Sequence, residues 1–172
     1  DNRPGAAALA VQGIDRQLGR LVEKGKLDAT ARQAISARLR PVEALEALAD
    51  AQLVIEAIVE NLQVKQALLQ QLEALCSDSC ILASNTSSLS ITSLAAGLRR
   101  PERVIGMHFF NPAPLMALVE VVSGLATAPA LAATLYDTAT AWGKQPVHAR
   151  STPGFIVNRV ARPFYAESLR LY

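Results

Sequence analysis

A histidine closes one apolar strand pattern, RVIGMHFF (residues 103–110), and a glutamate sits inside another, LVEVVS (residues 118–123). A carboxylate flanked by valines in a buried strand needs a polar partner, because an unpaired charge among apolar groups is costly. The intervening NPAP segment lets the chain return to the same sheet edge and bring Glu120 to His108. An imidazole oriented by a carboxylate is a general acid–base arrangement: the ring exchanges a proton near neutral pH and the carboxylate fixes its orientation. Each residue also has a plainer reading. His108 alone is equally well explained as a hydrogen-bonded core histidine, and Glu120 as a side chain turned to solvent from a half-exposed strand. The pair, rather than either member, points to proton transfer.

The elements that must position this pair alternate along the chain. Apolar spacings of three and four predict a helix from Pro4 to Gly25, and Asp28 is a candidate N-cap for a second helix through Ala37. A short edge strand is expected at Arg38–Val42 and a helix at Glu43–Ala49. QLVIEAI (52–58), CILAS (80–84), RVIGMHFF, LVEVVS and QPVHA (145–149) are strand candidates. Helices are expected at Asn61–Cys76, Thr92–Leu98, Ala130–Trp142 and over the tail from Pro153 to Tyr172. Strands alternating with helices of about ten or more residues predict a parallel α/β sheet covered on both faces. Ligands of such sheets bind beyond the carboxyl ends of the strands. Glu60, the segment Asn85–Ser88 and the segment His108–Asn111 each follow a strand, so three strands deliver polar side chains to one edge.

Composition sets the outer limits. The 172 residues are 51% hydrophobic and 19% charged, with a formal net charge of +2. That supports a buried core and gives no concentrated basic surface for nucleic acid. No apolar run approaches the ~20 residues that span a bilayer, and the N-terminus does not resemble a signal peptide, so a cytoplasmic chain without a membrane partner is expected. Cys76 and Cys80 cannot build a disulfide framework, and with only His108 and His148 beside them no metal site is expected.

ILASNTSSLSIT (81–92), VIGMHFFNPAPLMALVEVV (104–122), STPGFIVNR (151–159) and ADAQLVIEAIVENLQVK (49–65) stand in order, and together they strongly resemble the L-3-hydroxyacyl-CoA dehydrogenases. The wording of VEVVSGLATA and of WGKQPV…STPGFIVNRVARP is most similar to the 3-hydroxyadipyl-CoA branch, which works in phenylacetate breakdown, and to the related 3-hydroxybutyryl-CoA dehydrogenases. The resemblance implies a Rossmann-like doubly wound sheet over residues 1–150, followed at 151–172 by the start of an all-helical substrate and dimerisation domain. It implies NAD as cofactor, an acyl-CoA substrate and a homodimer. His108 would take the proton of the substrate hydroxyl, with Glu120 orienting its ring and Ser87 and Asn158 holding the substrate oxygen. Asp1, Glu60, Lys65, Ser87 and Asn111 match positions that contact NAD, Asp1 through the adenosine ribose, and Lys24 matches a lysine that meets the coenzyme A phosphates.

The chain also departs from that pattern. Among its nine glycines there is no G-x-G, so the first strand and the glycine-rich loop that cradles a pyrophosphate are not in this sequence. A sheet without that central strand is expected not to form a stable monomer, and the 172-residue chain is expected to be inactive by itself. Gln17 stands where the family has a serine near coenzyme A. A distal carboxylate on the acyl chain would favour a cation, for which Arg162, one helical turn past Asn158, is a candidate. Two other functions remain open: a relative acting on another hydroxy acid, and a non-catalytic relative that uses the fold for binding.

Overall fold

The computed structural model describes residues 3–172, so Asp1 and the ribose contact expected of it lie outside the described residues. Two compact units divide the chain, one ending at Ala47 and the other running from Leu48 to Tyr172.

In the first unit, helix α1 (Ala6–Glu23) and helix α2 (Ala29–Ser36) form as their periodicity predicts. Asp28 caps α2 by accepting from the Thr30 amide at 3.0 Å. Asp15 ties the pair together, accepting from Arg32 at 2.6 Å and from the Ser36 hydroxyl at 2.7 Å. The strand expected at Arg38–Val42 is absent, and the helix expected at Glu43–Ala49 shrinks to a 3-10 turn, Leu45–Leu48. A strand exists only where a neighbour pairs with it, and no described strand does so there.

The second unit is a five-stranded sheet in the order β1 (Leu53–Glu56), β2 (Ile81–Ser84), β3 (Val104–Phe109), β4 (Leu118–Ser123), β5 (Gln145–Arg150). Helices α3 (Leu62–Leu75) and α4 (Ile91–Ala95) flank β2; α5 (Pro129–Ala141) links β4 to β5, and α6 (Val157–Arg170) closes the chain. The sheet is mostly parallel, but not wholly as expected: β3 and β4 run antiparallel. A helix between β3 and β4 would have carried the chain back to a parallel start. The short proline-rich loop instead returns it directly. Lys144 pins that loop, donating to the carbonyls of Ala113 at 2.5 Å and Met116 at 2.9 Å.

Strand alternation sorts the side chains. Ala83, Ile105, Met107, Val119 and Val121 share one face with Ala132, Leu135 and Ala139 of α5, and form a closed apolar core. Glu56, Ser84, Gly106, His108, Glu120 and Val122 therefore share the other face. Gly106 is where α4 comes closest: a Cβ there would lie 2.8 Å from both Ile91 Cδ1 and Val122 Cβ. Ile91 is fully buried and Val122 belongs to the sheet, so neither can yield cheaply. Gly106→Ala is expected to cost about 1–3 kcal/mol of unfolding free energy by overpacking. A urea midpoint equal to that of the unsubstituted protein would show that α4 shifts freely.

Candidate active site

His108 and Glu120 are direct cross-strand partners in the antiparallel pair, so both side chains emerge on one face at neighbouring positions. His108 Nδ1 lies 2.7 Å from Glu120 Oε2, with Glu120 fully buried and His108 only 5% exposed. The other carboxylate oxygen, Oε1, accepts from the amides of Ile156 at 2.8 Å and Val157 at 2.9 Å. These are the first amides of α6, which have no partner within the helix and sit at its positive end. Glu120 thus joins the sheet to the start of α6 and holds the ring. With Nδ1 donating to Glu120, the lone pair is on Nε2. That atom has no partner among the described residues and is not among their buried unsatisfied atoms, so it opens to solvent. Phe110, with its ring centroid 4.5 Å from that of His108, and Phe155, at 5.9 Å, wall the ring on its apolar sides.

The turn before α6 makes this possible. Gly154 (φ 76°) and Phe155 (φ 49°) are both left-handed, and this pair of residues turns the following amides toward Glu120. Phenylalanine in that region is strained by roughly 1–2 kcal/mol. Burial of its side chain to 3% exposure and the two amide bonds to Glu120 offset that strain. Asn158 follows at once, and its Nδ2 donates to the Ser87 carbonyl at 3.0 Å, so the β2–α4 loop and α6 meet beside the histidine's face of the sheet. The Ser87 hydroxyl is exposed and unbonded.

A second polar cluster, whose centre the sequence reading did not single out, lies at the ends of β1 and β2. Glu56 is buried at the close of β1 and receives the Lys65 ammonium on both oxygens, at 2.9 and 2.8 Å. It also accepts from the Ile58 amide at 3.1 Å and from the Ser84 hydroxyl. Lys65 is 1% exposed, and its Nζ also lies 3.5 Å from Glu60 Oε2. Glu60, 40% exposed, accepts from the Thr86 hydroxyl at 2.5 Å and the Ser87 amide at 2.9 Å. Partial burial opposes its ionisation, but these two donors and the Lys65 charge outweigh that and hold its carboxyl below the usual range. Asn85 ties β2 to β3, its Oδ1 accepting from the Phe109 amide at 2.9 Å. The clue to Glu56 was the one that exposed Glu120: a carboxylate inside an apolar strand, here LVIE, which must find a partner.

The expected site residues are therefore distributed unevenly. His108 with Glu120, Ser87 with Asn158, and Glu60 with Lys65 and Ser87 are brought together. Asn111 is exposed just past β3. Lys65 is beneath the surface rather than on it. Lys24 is exposed at the C-cap of α1, in the other unit, as is Gln17 on α1. Cys76 and Cys80 are buried and free, and burial, with Cys76 close by, pushes the Cys80 thiol up to about 11. Among the described residues no histidine, cysteine or acidic cluster could hold a metal, and no helix is long and apolar enough to cross a membrane.

A mostly parallel sheet carries His108, its carboxylate partner and Glu60 at its strand ends, the edge at which such sheets bind nucleotides. A family model described as "3-hydroxyacyl-CoA dehydrogenase, NAD binding domain" matches residues 1–152, and the chain belongs to that family. It is 54% identical over 165 residues to the 3-hydroxyadipyl-CoA dehydrogenase of Escherichia coli K12, covering 96% of this chain and 35% of that protein. It is 42% identical over 159 residues to the 3-hydroxybutyryl-CoA dehydrogenase of Clostridioides difficile, covering 92% of this chain and 57% of that protein. The crystal structure of 3-hydroxybutyryl-CoA dehydrogenase from Escherichia coli K12 superposes with a TM-score of 0.97 at 53% identity, covering 99% of this chain and 36% of that one. The chain thus spans between about a third and three fifths of the length of these relatives.

The residues present fit one end of NAD. Glu60, the Ser87 hydroxyl and the Asn111 amide are exposed and carry acceptors and donors that match the hydroxyls and amide of a nicotinamide riboside. The pyrophosphate cradle requires glycine-rich backbone that this sequence does not contain.

Proposed function

We propose that the natural protein carrying this sequence oxidises an L-3-hydroxyacyl-CoA to the 3-oxoacyl-CoA, using NAD. The observation that carries this reading is the buried His108–Glu120 pair, whose carboxylate also anchors the turn that delivers Asn158. His108 Nε2 takes the proton of the 3-hydroxyl, and Glu120 keeps the ring in register and stabilises the imidazolium that forms. Asn158 and Ser87 hold the hydroxyl oxygen beside that nitrogen, so that the carbon–hydrogen bond faces the cofactor. NAD, when bound, supplies the hydride acceptor. Glu60, Ser87 and Asn111 place its nicotinamide end, and Lys65 acts on that end through Glu60. Lys24 serves the coenzyme A phosphates, and Asp1 the adenosine ribose.

Two acyl groups are favoured by the relatives' names: 3-hydroxyadipyl, with a role in phenylacetate breakdown, and 3-hydroxybutyryl. A cytoplasmic homodimer is the assembly we infer. The test is NADH formation from 3-hydroxyacyl-CoA thioesters by the natural protein, run beside the 172-residue chain alone. We expect turnover from the former and none from the latter, whose nine glycines include no G-x-G. No turnover of any 3-hydroxyacyl-CoA by the natural protein would refute the reading, as would activity of the short chain its predicted inactivity.

A further inference from the structure

A cavity of about 380 Å³ opens beside the proposed oxygen-holding residues, lined by Ser88, Pro153, Gly154, Asn158, Arg159 and Arg162. Two of its six lining residues are arginines, and no acidic residue lines it. Elsewhere in this unit Arg99 is answered by Glu73, Arg100 by Asp78 and Glu102, Arg103 by two carbonyls and Arg170 by Glu167, while Arg150, exposed on β5, has no such partner among the described residues and does not line this cavity. Neither guanidinium in the cavity has an ion pair or side-chain hydrogen bond among the described residues. Two unanswered cations in a concave site, next to the Asn158 that the proposed function gives to the substrate oxygen, suit an anion.

Helix geometry says which anion. Asn158 and Arg162 are four residues apart on α6, so they share one face, with Arg162 about 6 Å further along the axis. In a six-carbon dicarboxylic acyl chain, the terminal carboxylate carbon lies three bonds beyond the hydroxyl-bearing carbon, about 4 Å when extended. An arginine side chain spans the remaining distance and can meet the carboxylate with two parallel N–H donors. A phosphate of coenzyme A is the other anion that such a cluster would accept, and it lies at the opposite, thioester end of the substrate.

We propose that this cavity receives the carboxylate at the far end of a dicarboxylic 3-hydroxyacyl-CoA, with Arg162 as the residue that selects for it. The proposal rests on the dehydrogenase reading above and narrows its substrate class. It is tested in the natural protein by comparing kcat/KM for 3-hydroxyadipyl-CoA and for 3-hydroxyhexanoyl-CoA, which has the same carbon count and no terminal charge. The unsubstituted enzyme is expected to favour the dicarboxylic substrate by about tenfold or more, the scale of a charge-assisted hydrogen bond. Arg162→Met is expected to remove most of that preference, chiefly through KM for the dicarboxylic substrate, and Arg162→Lys to restore part of it. A wild-type ratio near one, or a preference that survives Arg162→Met, overturns the proposal. An equal loss on both substrates also overturns it and assigns the guanidinium to the coenzyme A end. Turnover of neither substrate by the unsubstituted enzyme sinks the dehydrogenase reading itself, whereas turnover of the neutral substrate alone sinks only the proposal.

Discussion

His108→Gln is expected to lower kcat in the natural protein by roughly two to four orders of magnitude, the usual contribution of a positioned general base, while NAD affinity stays within about twofold. Glutamine is the informative replacement. Alanine would leave Glu120 Oε2 buried with no donor, at a cost of about 1–3 kcal/mol, and so mix a folding defect with a chemical one. The glutamine amide can still donate toward Glu120, yet it cannot accept a proton at neutral pH. Glu120 stays tied to the Ile156 and Val157 amides in either variant, so the turn carrying Asn158 is retained. The measurement is steady-state turnover paired with isothermal titration of NAD. Turnover within tenfold of the unsubstituted enzyme would remove His108 as the base, and a matching loss of NAD affinity would recast it as a structural residue.

Glu56→Ala is expected to cost about 3–5 kcal/mol of unfolding free energy, the range for breaking a buried ion pair by removing one partner. Lys65 would be left with its ammonium 1% exposed, and its nearest remaining carboxylate, Glu60, is 3.5 Å away and 40% exposed. The Ser84 hydroxyl and the Ile58 amide would lose their acceptor as well. Replacing both charges together, Glu56→Leu with Lys65→Met, should recover the part of that loss that comes from the stranded ammonium, but not the part from the Ser84 hydroxyl and the Ile58 amide, which still lack their acceptor. The same double variant should nevertheless weaken NAD binding, since Glu60 would lose the cation beside it. Urea unfolding of the single and double variants, with NAD titration of the double, separates the two roles. A single variant within about 1 kcal/mol of the parent would mean that water enters and solvates Lys65.

Sequence determined a good deal of this protein. Periodicity placed α1, α3, α5 and all five strands of the second unit within a few residues, because their apolar spacing and caps act locally: Asp28 caps α2 as its position suggests, and Asn61 caps α3. A carboxylate among valines required a partner, and His108 was the candidate within reach. Tertiary structure alone decided the rest. The expected strand at Arg38–Val42 fails for want of a neighbouring strand, which no local pattern reveals. The direction of β4 depends on how the loop after β3 closes, and that antiparallel register sets His108 opposite Glu120. Lys65, which the resemblance matches to a position that contacts NAD, is the buried counter-charge of Glu56, nine residues earlier on another element. Local sequence fixes which backbone forms because its hydrogen bonds close within a few residues. Which charges face each other depends on long-range packing, where desolvation leaves a buried carboxylate no alternative to the partner that the fold brings to it.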